Sequence, residues 1–175
     1  MLGYVFNTVR RLNSKTAHSF PVRKASSMRF YEQALDCIME VDFSNTESLL
    51  DFNTALMCLV VVASDGQKGT LSHLTIPNDA GAYKKNPVIF ADRLASVWKK
   101  SVPVCIVGGE TLISNDYLIS LSINLEEKGF LLDRKRMRTG GVLFYRHVRL
   151  FADRVIVREY RYTGEDTSIE LWFSS

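Results

Sequence analysis

A chain of 175 residues that is 46% hydrophobic can bury one sizeable core, so a single domain is expected. Its formal net charge of +3 is too small to imply nucleic acid, and its longest apolar run falls well short of the roughly 20 residues that a membrane helix needs. Three cysteines, Cys37, Cys58 and Cys105, with no CxxC pair among them, fit reduced thiols rather than a disulfide framework or a zinc site.

Residues 1–27 carry Arg10, Arg11, Lys15, Arg23 and Lys24 among Ser, Thr and Asn, without an acidic residue. No continuous apolar stretch follows these cations, so the pattern is not a secretory signal. It reads as a basic, flexible segment outside the fold. The chain is then expected to be cytoplasmic, unless that segment is an organelle address or a secretion segment of an effector.

The folded domain is expected over residues 28–175. Phe30, Ala34, Leu35, Ile38 and Val41 recur at helical spacing and predict an amphipathic helix over 28–41, with a strand over 37–43 as the competitor. Ser44, Asn45 and Thr46 form a loop, and residues 47–54 lead into the stretch on which the rest is organised. Residues 55–63, ALMCLVVVA, are too short and too β-branched for a helix and predict a buried strand. Asp65-Gly66 and Gly69 mark a turn, and a second strand follows. On it Leu71, His73 and Thr75 face one way, Thr70, Ser72, Leu74 and Ile76 the other, and Pro77 stops it. A hairpin of this kind brings Cys58 and His73 to the same open end, far from the turn.

Asn86-Pro87 predicts a helix start, with Ile89 or Phe90, Leu94 and Val97 or Trp98 as its core face and Lys99-Lys100 at its end. Residues 103–107, PVCIV, predict a buried strand, and Gly108-Gly109 a sharp turn behind it. A second helix is predicted over 115–128, with Leu118, Leu121, Ile123 and Leu125 apolar and Gly129 terminating it. Strands over 130–132, 142–146, 155–160 and 169–173 complete a mixed α+β order, an α/β sandwich in which helices pack on a mixed, largely antiparallel sheet.

Cys58 in an apolar strand followed by Gly69-Thr70-Leu71-Ser72-His73-Leu74-Thr75-Ile76-Pro77 resembles the catalytic cysteine and the Gly-x-x-x-His-x-x-x-Pro strand of CheD, the chemoreceptor glutamine deamidase family. Val107-Gly108-Gly109-Glu110 resembles that family's strand ending in a glycine pair. Residues 115–129 resemble its next helix, and Gly140 to Tyr145 with Arg154 to Arg158 its last hairpin. The wider superfamily includes the cytotoxic necrotizing factor toxins. The resemblance implies an α/β sandwich, a Cys58–His73 pair, hydrolysis of a glutamine side chain of a partner protein, and no cofactor. Leu56-Met57 stand where that family has a Gly-Ser pair, and Phe52 stands at its third catalytic position, a threonine. Thr54 is the nearest hydroxyl.

The chemistry follows from the residue types. A carboxamide is a poor electrophile and the thiolate is the attacking species, so the cysteine needs a base nearby. His73 can take that proton and return it to departing ammonia, while backbone N–H groups around Cys58 can hold the oxyanion. Thr54, Asn53 or a main-chain carbonyl between Leu49 and Asn53 can orient the ring. Taken alone, Cys58 is more often a core thiol and His73 a hydrogen-bonded strand residue. Cys37 and Cys105 keep that reading, and His147 is expected to be structural or exposed. Arg134, Lys135, Arg136 and Arg138 read as a solvated loop, and Asp79 and Glu110 as part of a pocket rim. A monomer is expected, and the alternative function is a protein-binding module that keeps the deamidase fold but has lost turnover.

Overall fold

The computed structural model describes residues 20–24, 36–45, 48–54, 58–74, 86–99, 101–109, 115–132, 138–139, 144–161 and 166–173. A mixed sheet runs in the order β1 (Val22–Lys24), β2 (Ile38–Asp42), β5 (Lys68–Leu74), β4 (Leu59–Ser64), β6 (Pro103–Gly108) and β7 (Leu131–Leu132), and β8 (Arg138–Thr139) also pairs with β6. A second, antiparallel sheet runs β11 (Asp166–Trp172), β10 (Arg154–Arg161), β9 (Phe144–Phe151), β3 (Ser48–Thr54). Two α-helices, α1 (Pro87–Trp98) and α2 (Asn115–Glu127), and a short 3-10 helix at Phe43–Asn45 complete the described elements.

Alternation along β4 shows how the layers stack. Leu59, Val61 and Ala63 pack with Phe90, Leu94 and Trp98 of α1 and with Leu121 and Leu125 of α2. Val60 and Val62 pack with Val148 and Leu150 of β9 and Val155 and Val157 of β10. The mixed sheet is therefore covered by helices on one face and by the antiparallel sheet on the other. A strand buried on both faces reads as an unbroken apolar run, which is why residues 59–63 show no alternation in the sequence. The expected mixed sandwich with packed helices is present.

Local chemistry accounts for the helix ends. The Asn86 side chain accepts a hydrogen bond from Val88 N at 2.9 Å, and Pro87 occupies the first turn, where no amide partner is lost. Asn86→Ala should lower stability by about 1 kcal/mol in urea unfolding; an unchanged midpoint would remove the cap from the account. At the end of α2, Phe130 N reaches Leu125 O and Gly129 N reaches Glu126 O, with Gly129 at φ 85°. This pair of bonds satisfies carbonyls that the helix leaves over.

Several expectations are corrected. Residues 38–42 are the strand β2 rather than the end of a helix, because Met39 and Val41 enter the inter-sheet core while Ile38 enters the helix-side core. Period-two burial on both faces prevailed over a helical spacing. Residues 28–35 lie outside the described residues. Within the N-terminal segment, residues 20–24 do not stay out of the fold: β1 pairs in parallel with β2, and Phe20 is buried edge-on against Phe90 at 5.0 Å. Gly69 is a strand residue, not a turn residue. A Cβ there would lie 2.6 and 2.7 Å from the Phe43 ring, so the bare backbone is what lets Phe43 cover β5. Ile123, expected on the core face of α2, is 45% exposed, since Leu121 and Leu125 already define that face. No described helix is long and apolar enough to cross a membrane.

Candidate functional site

The β4–β5 hairpin turns through Gly66 and Gln67, between Asp65 and Lys68, where Asp65 N donates to Lys68 O at 3.1 Å. Gly66 takes φ 87°, and Asp65 Oδ1 accepts from Gln67 N and Lys68 N at 2.9 and 2.7 Å. A positive φ at the first loop position matches the twist of the strands it joins. The turn sets the register, and the register pairs Val60 with His73 and Val62 with Leu71.

Cys58 stands one residue ahead of β4. Gly109 N donates to Cys58 O at 2.9 Å, which carries the β4–β6 ladder one pair beyond Leu59 and Gly108. Cys58 therefore extends the hydrogen bonding of β4, and its position along the strand is in phase with Val60 and Val62, which are in the inter-sheet core. His73 is in phase with Leu71 of that core, two positions away. In register the thiol is one pleat repeat beyond the imidazole on the neighbouring strand. Diagonal neighbours of this kind have Cα atoms about 7 to 8 Å apart.

The glycine pair is what allows this. Gly108 and Gly109 take φ 98° and 79°, and a Cβ at Gly108 would fall inside contact distance of the Cys58 carbonyl oxygen. The end of β6 is thereby folded against the backbone of Cys58. The thiol itself is half-buried, and Cys37 and Cys105 are buried.

His73 is 6% exposed, and burial pushes its pKa down to about 4 from 6.5. Its ring is neutral at neutral pH, so it is a proton acceptor rather than a standing imidazolium. The downward shift means that between about pH 6.5 and about 4 the unfolded chain binds a proton that the folded chain refuses. The stability held above pH 6.5 is lost as the pH falls to about 4, by about 3 kcal/mol for this group. His73→Gln should flatten that part of the urea-midpoint profile, and parallel profiles for the two proteins would contradict it.

Thr54 ends β3 and so belongs to the facing sheet, where its ladder partner is Arg146; Asn53 pairs with His147. The expected approach of this segment to Cys58 is thus across the inter-sheet space rather than along one sheet. His147 is half-buried. Asp79, Glu110, Arg134, Lys135 and Arg136 lie outside the described residues, and Arg138 is in β8.

Two features escaped the sequence reading. Asp36 N donates to His73 O at 2.7 Å, which brings Cys37, a buried inter-sheet residue, to the other flank of His73. Burial raises the Cys37 thiol pKa, with Arg23 pulling it the other way, so burial holds this thiol back from ionising. The second feature is an ion pair between the buried Arg146 and the half-buried Glu159 at 2.8 Å. A signal for it exists in the sequence: Arg146 alternates in phase with Val148 and Leu150, and Glu159 with Val155 and Val157.

A hollow of about 410 Å³ lies at the opposite end of the mixed sheet, beside the hairpin turn, lined by Glu40, Asp42, Asp65, Lys68 and Trp98 among others. Lys68 Nζ sits 4.5 Å from the Trp98 ring centroid and donates to Val97 O at 2.9 Å. Among the described residues no group of three or more His, Cys, Asp or Glu is gathered to hold a metal ion. Compared with protein-family models, with curated proteins and with solved structures, the chain matches none.

Proposed function

We propose that the protein is a cysteine amidohydrolase on a CheD-like domain, converting a glutamine side chain of a partner protein to glutamate. Cys58 is the nucleophile and His73 the proton carrier. The observation that supports this reading is the register: Val60 is opposite His73, and the Gly109 N to Cys58 O bond extends the hydrogen bonding of β4 to Cys58, in phase with Val60.

The reaction balances with these two side chains and water. The sulfur bonds to the amide carbon as its proton passes to the neutral ring of His73, and the carbonyl electron pair moves onto oxygen. The C=O bond then re-forms, the C–N bond breaks, and the imidazolium gives its proton to the departing nitrogen, releasing ammonia. A water molecule next gives a proton to the ring and attacks the thioester carbon. The C–S bond breaks, the sulfur recovers its proton from the ring, and the glutamate side chain is free. Thr54, at the end of the facing β3, is the hydroxyl assigned to the orienting role. Three cysteines without a disulfide among the described residues suit a reducing compartment.

A second reading, a binding module without turnover, is favoured by one observation: His73 is 6% exposed. Intact-mass analysis separates the two. Incubation with a substrate protein should add about one mass unit per converted glutamine, in the absence of added metal or cofactor. If a broad screen of partner proteins yields complexes of unchanged mass, the binding module is the correct reading.

A further inference from the structure

The inter-sheet layer holds a second buried ionisable group near His73, and it comes from the antiparallel sheet. Arg146 is 4% exposed, and its Nε donates to Glu159 Oε1 directly across the β9–β10 ladder. Two ties set the level of one sheet against the other. Gly69 backs onto Leu150, whose Cδ2 would be 3.1 Å from a Cβ there, and the Ser64 hydroxyl donates to the carbonyl of Ala152. From Gly69, His73 is four positions along β5; from Leu150, Arg146 is four positions back along β9. Each displacement is about 13 Å at the rise of a strand. Val148 and Val157 are fully buried, which requires β9 and β10 to run back over the mixed sheet rather than past its turn. Face-to-face sheets keep their strands within about 30° of each other. The Arg146–Glu159 pair therefore stands at the level of His73, one pleat repeat short of Cys58.

An ion pair with a buried member is commonly no more stabilising than well-packed apolar side chains, so the charge of Arg146 calls for another explanation. A thiolate, and the oxyanion formed from it, need a positive charge or donors already in position. His73, neutral in the resting protein, does not supply one. We propose that Arg146, held by Glu159, is the fixed cation that stabilises the Cys58 thiolate and the oxyanion generated beside it. A guanidinium keeps its charge at every accessible pH, and the carboxylate fixes its direction while offsetting part of its field. Among the described residues, the titratable and charged groups on the walls or at the edge of this space are Arg23 on β1, which acts on Cys37, Cys37 itself near the head of β2, His73 on β5, Cys105 on β6, Arg146 on β9 and Glu159 on β10. The inference rests on Cys58 being the reactive thiol, not on which amide it attacks.

Alkylation of the folded protein by a neutral haloacetamide, with Cys58 followed by peptide mapping across about pH 5.5 to 10, tests it. Wild-type Cys58 should titrate below the ordinary value of about 8.5. Glu159→Gln, which leaves Arg146 uncompensated, should speed alkylation near pH 6.5 by about three- to tenfold. Adding Arg146→Gln to that variant should slow it by about tenfold relative to Glu159→Gln alone. A merely structural pair would shift both variants the same way, because each has lost it. A wild-type apparent pKa at or above about 8.5, or a double variant as fast as the single one, overturns the proposal. If a variant exposes Cys37 and Cys105 to the reagent as well, it has unfolded, and the wild-type profile decides. A lowered Cys58 pKa with no deamidated partner keeps this inference and removes the deamidase reading; deamidation by an ordinary thiol does the reverse.

Discussion

Cys58→Ala should abolish the mass gain in a substrate protein, and His73→Asn should reduce its rate by at least about 10³-fold. The two losses differ in kind. Without the sulfur no thioester forms, so no residual turnover is expected by this route. Without the ring the thiol remains, but its proton has no acceptor and the leaving nitrogen no donor. Asn in place of His73 keeps a polar side chain of similar reach at a buried position, so the fold should survive. Cys58→Ala removes one sulfur from a half-buried site and should leave the unfolding midpoint nearly unchanged. The pH dependence separates His73 from a bystander. Because its ring is neutral above about pH 4 in the folded protein, the acceptor is present throughout the neutral range. A rate that falls with a midpoint near pH 6.5 as the solution is acidified would point to an exposed histidine instead. Conversion that persists in Cys58→Ala would end the proposed mechanism.

Gly108→Ala should be the most destabilising single-methyl change at this end of the sheet, lowering stability by about 3 kcal/mol or more. Two costs add. A φ of 98° is one that side-chain-bearing residues rarely adopt, and the added Cβ would press on the carbonyl oxygen of Cys58. Neither can relax cheaply, since the neighbour is backbone and that carbonyl is already bonded to Gly109 N. For a chain of this size the loss corresponds to a fall in Tm of about 6 to 12 °C. Gly66→Ala is the control: it shares the positive φ, but nothing lies within 4 Å of its would-be Cβ, so it should cost only the backbone strain. Equal losses in the two variants would mean that the approach of Gly108 to Cys58 carries no energetic weight. A shift in Cys58 alkylation in Gly108→Ala but not in Gly66→Ala would tie the glycine pair to the site as well as to the fold.

Most of the secondary structure was readable because it is written locally. Asn86-Pro87 opens α1 through one side-chain acceptor and one fixed φ, and Gly129 closes α2 through a conformation that other residues resist. The Asp65-Gly66 turn sets which strand positions face each other, and that alone carries His73 to Val60. The reading went wrong where burial came from distant elements. Residues 38–41 carry both a period near 3.6 and a period of two, and only β1 and β5 on either side decided between them. Phe20 lay in a segment whose charge pattern resembled a tail, yet it fills a space against Phe90.

The hairpin, the positions of Cys58 and His73 along it, and the helices that cover one face are legible in the chain alone, because each depends on contacts among residues near in the chain. Only the tertiary structure placed Cys37 beside His73 within the mixed sheet, and put β3, which ends at Thr54, and the Arg146–Glu159 pair in the antiparallel sheet that covers it. The two sheets are tied at Gly69–Leu150 and Ser64–Ala152. Packing between layers joins residues far apart in the chain, and no local periodicity encodes it.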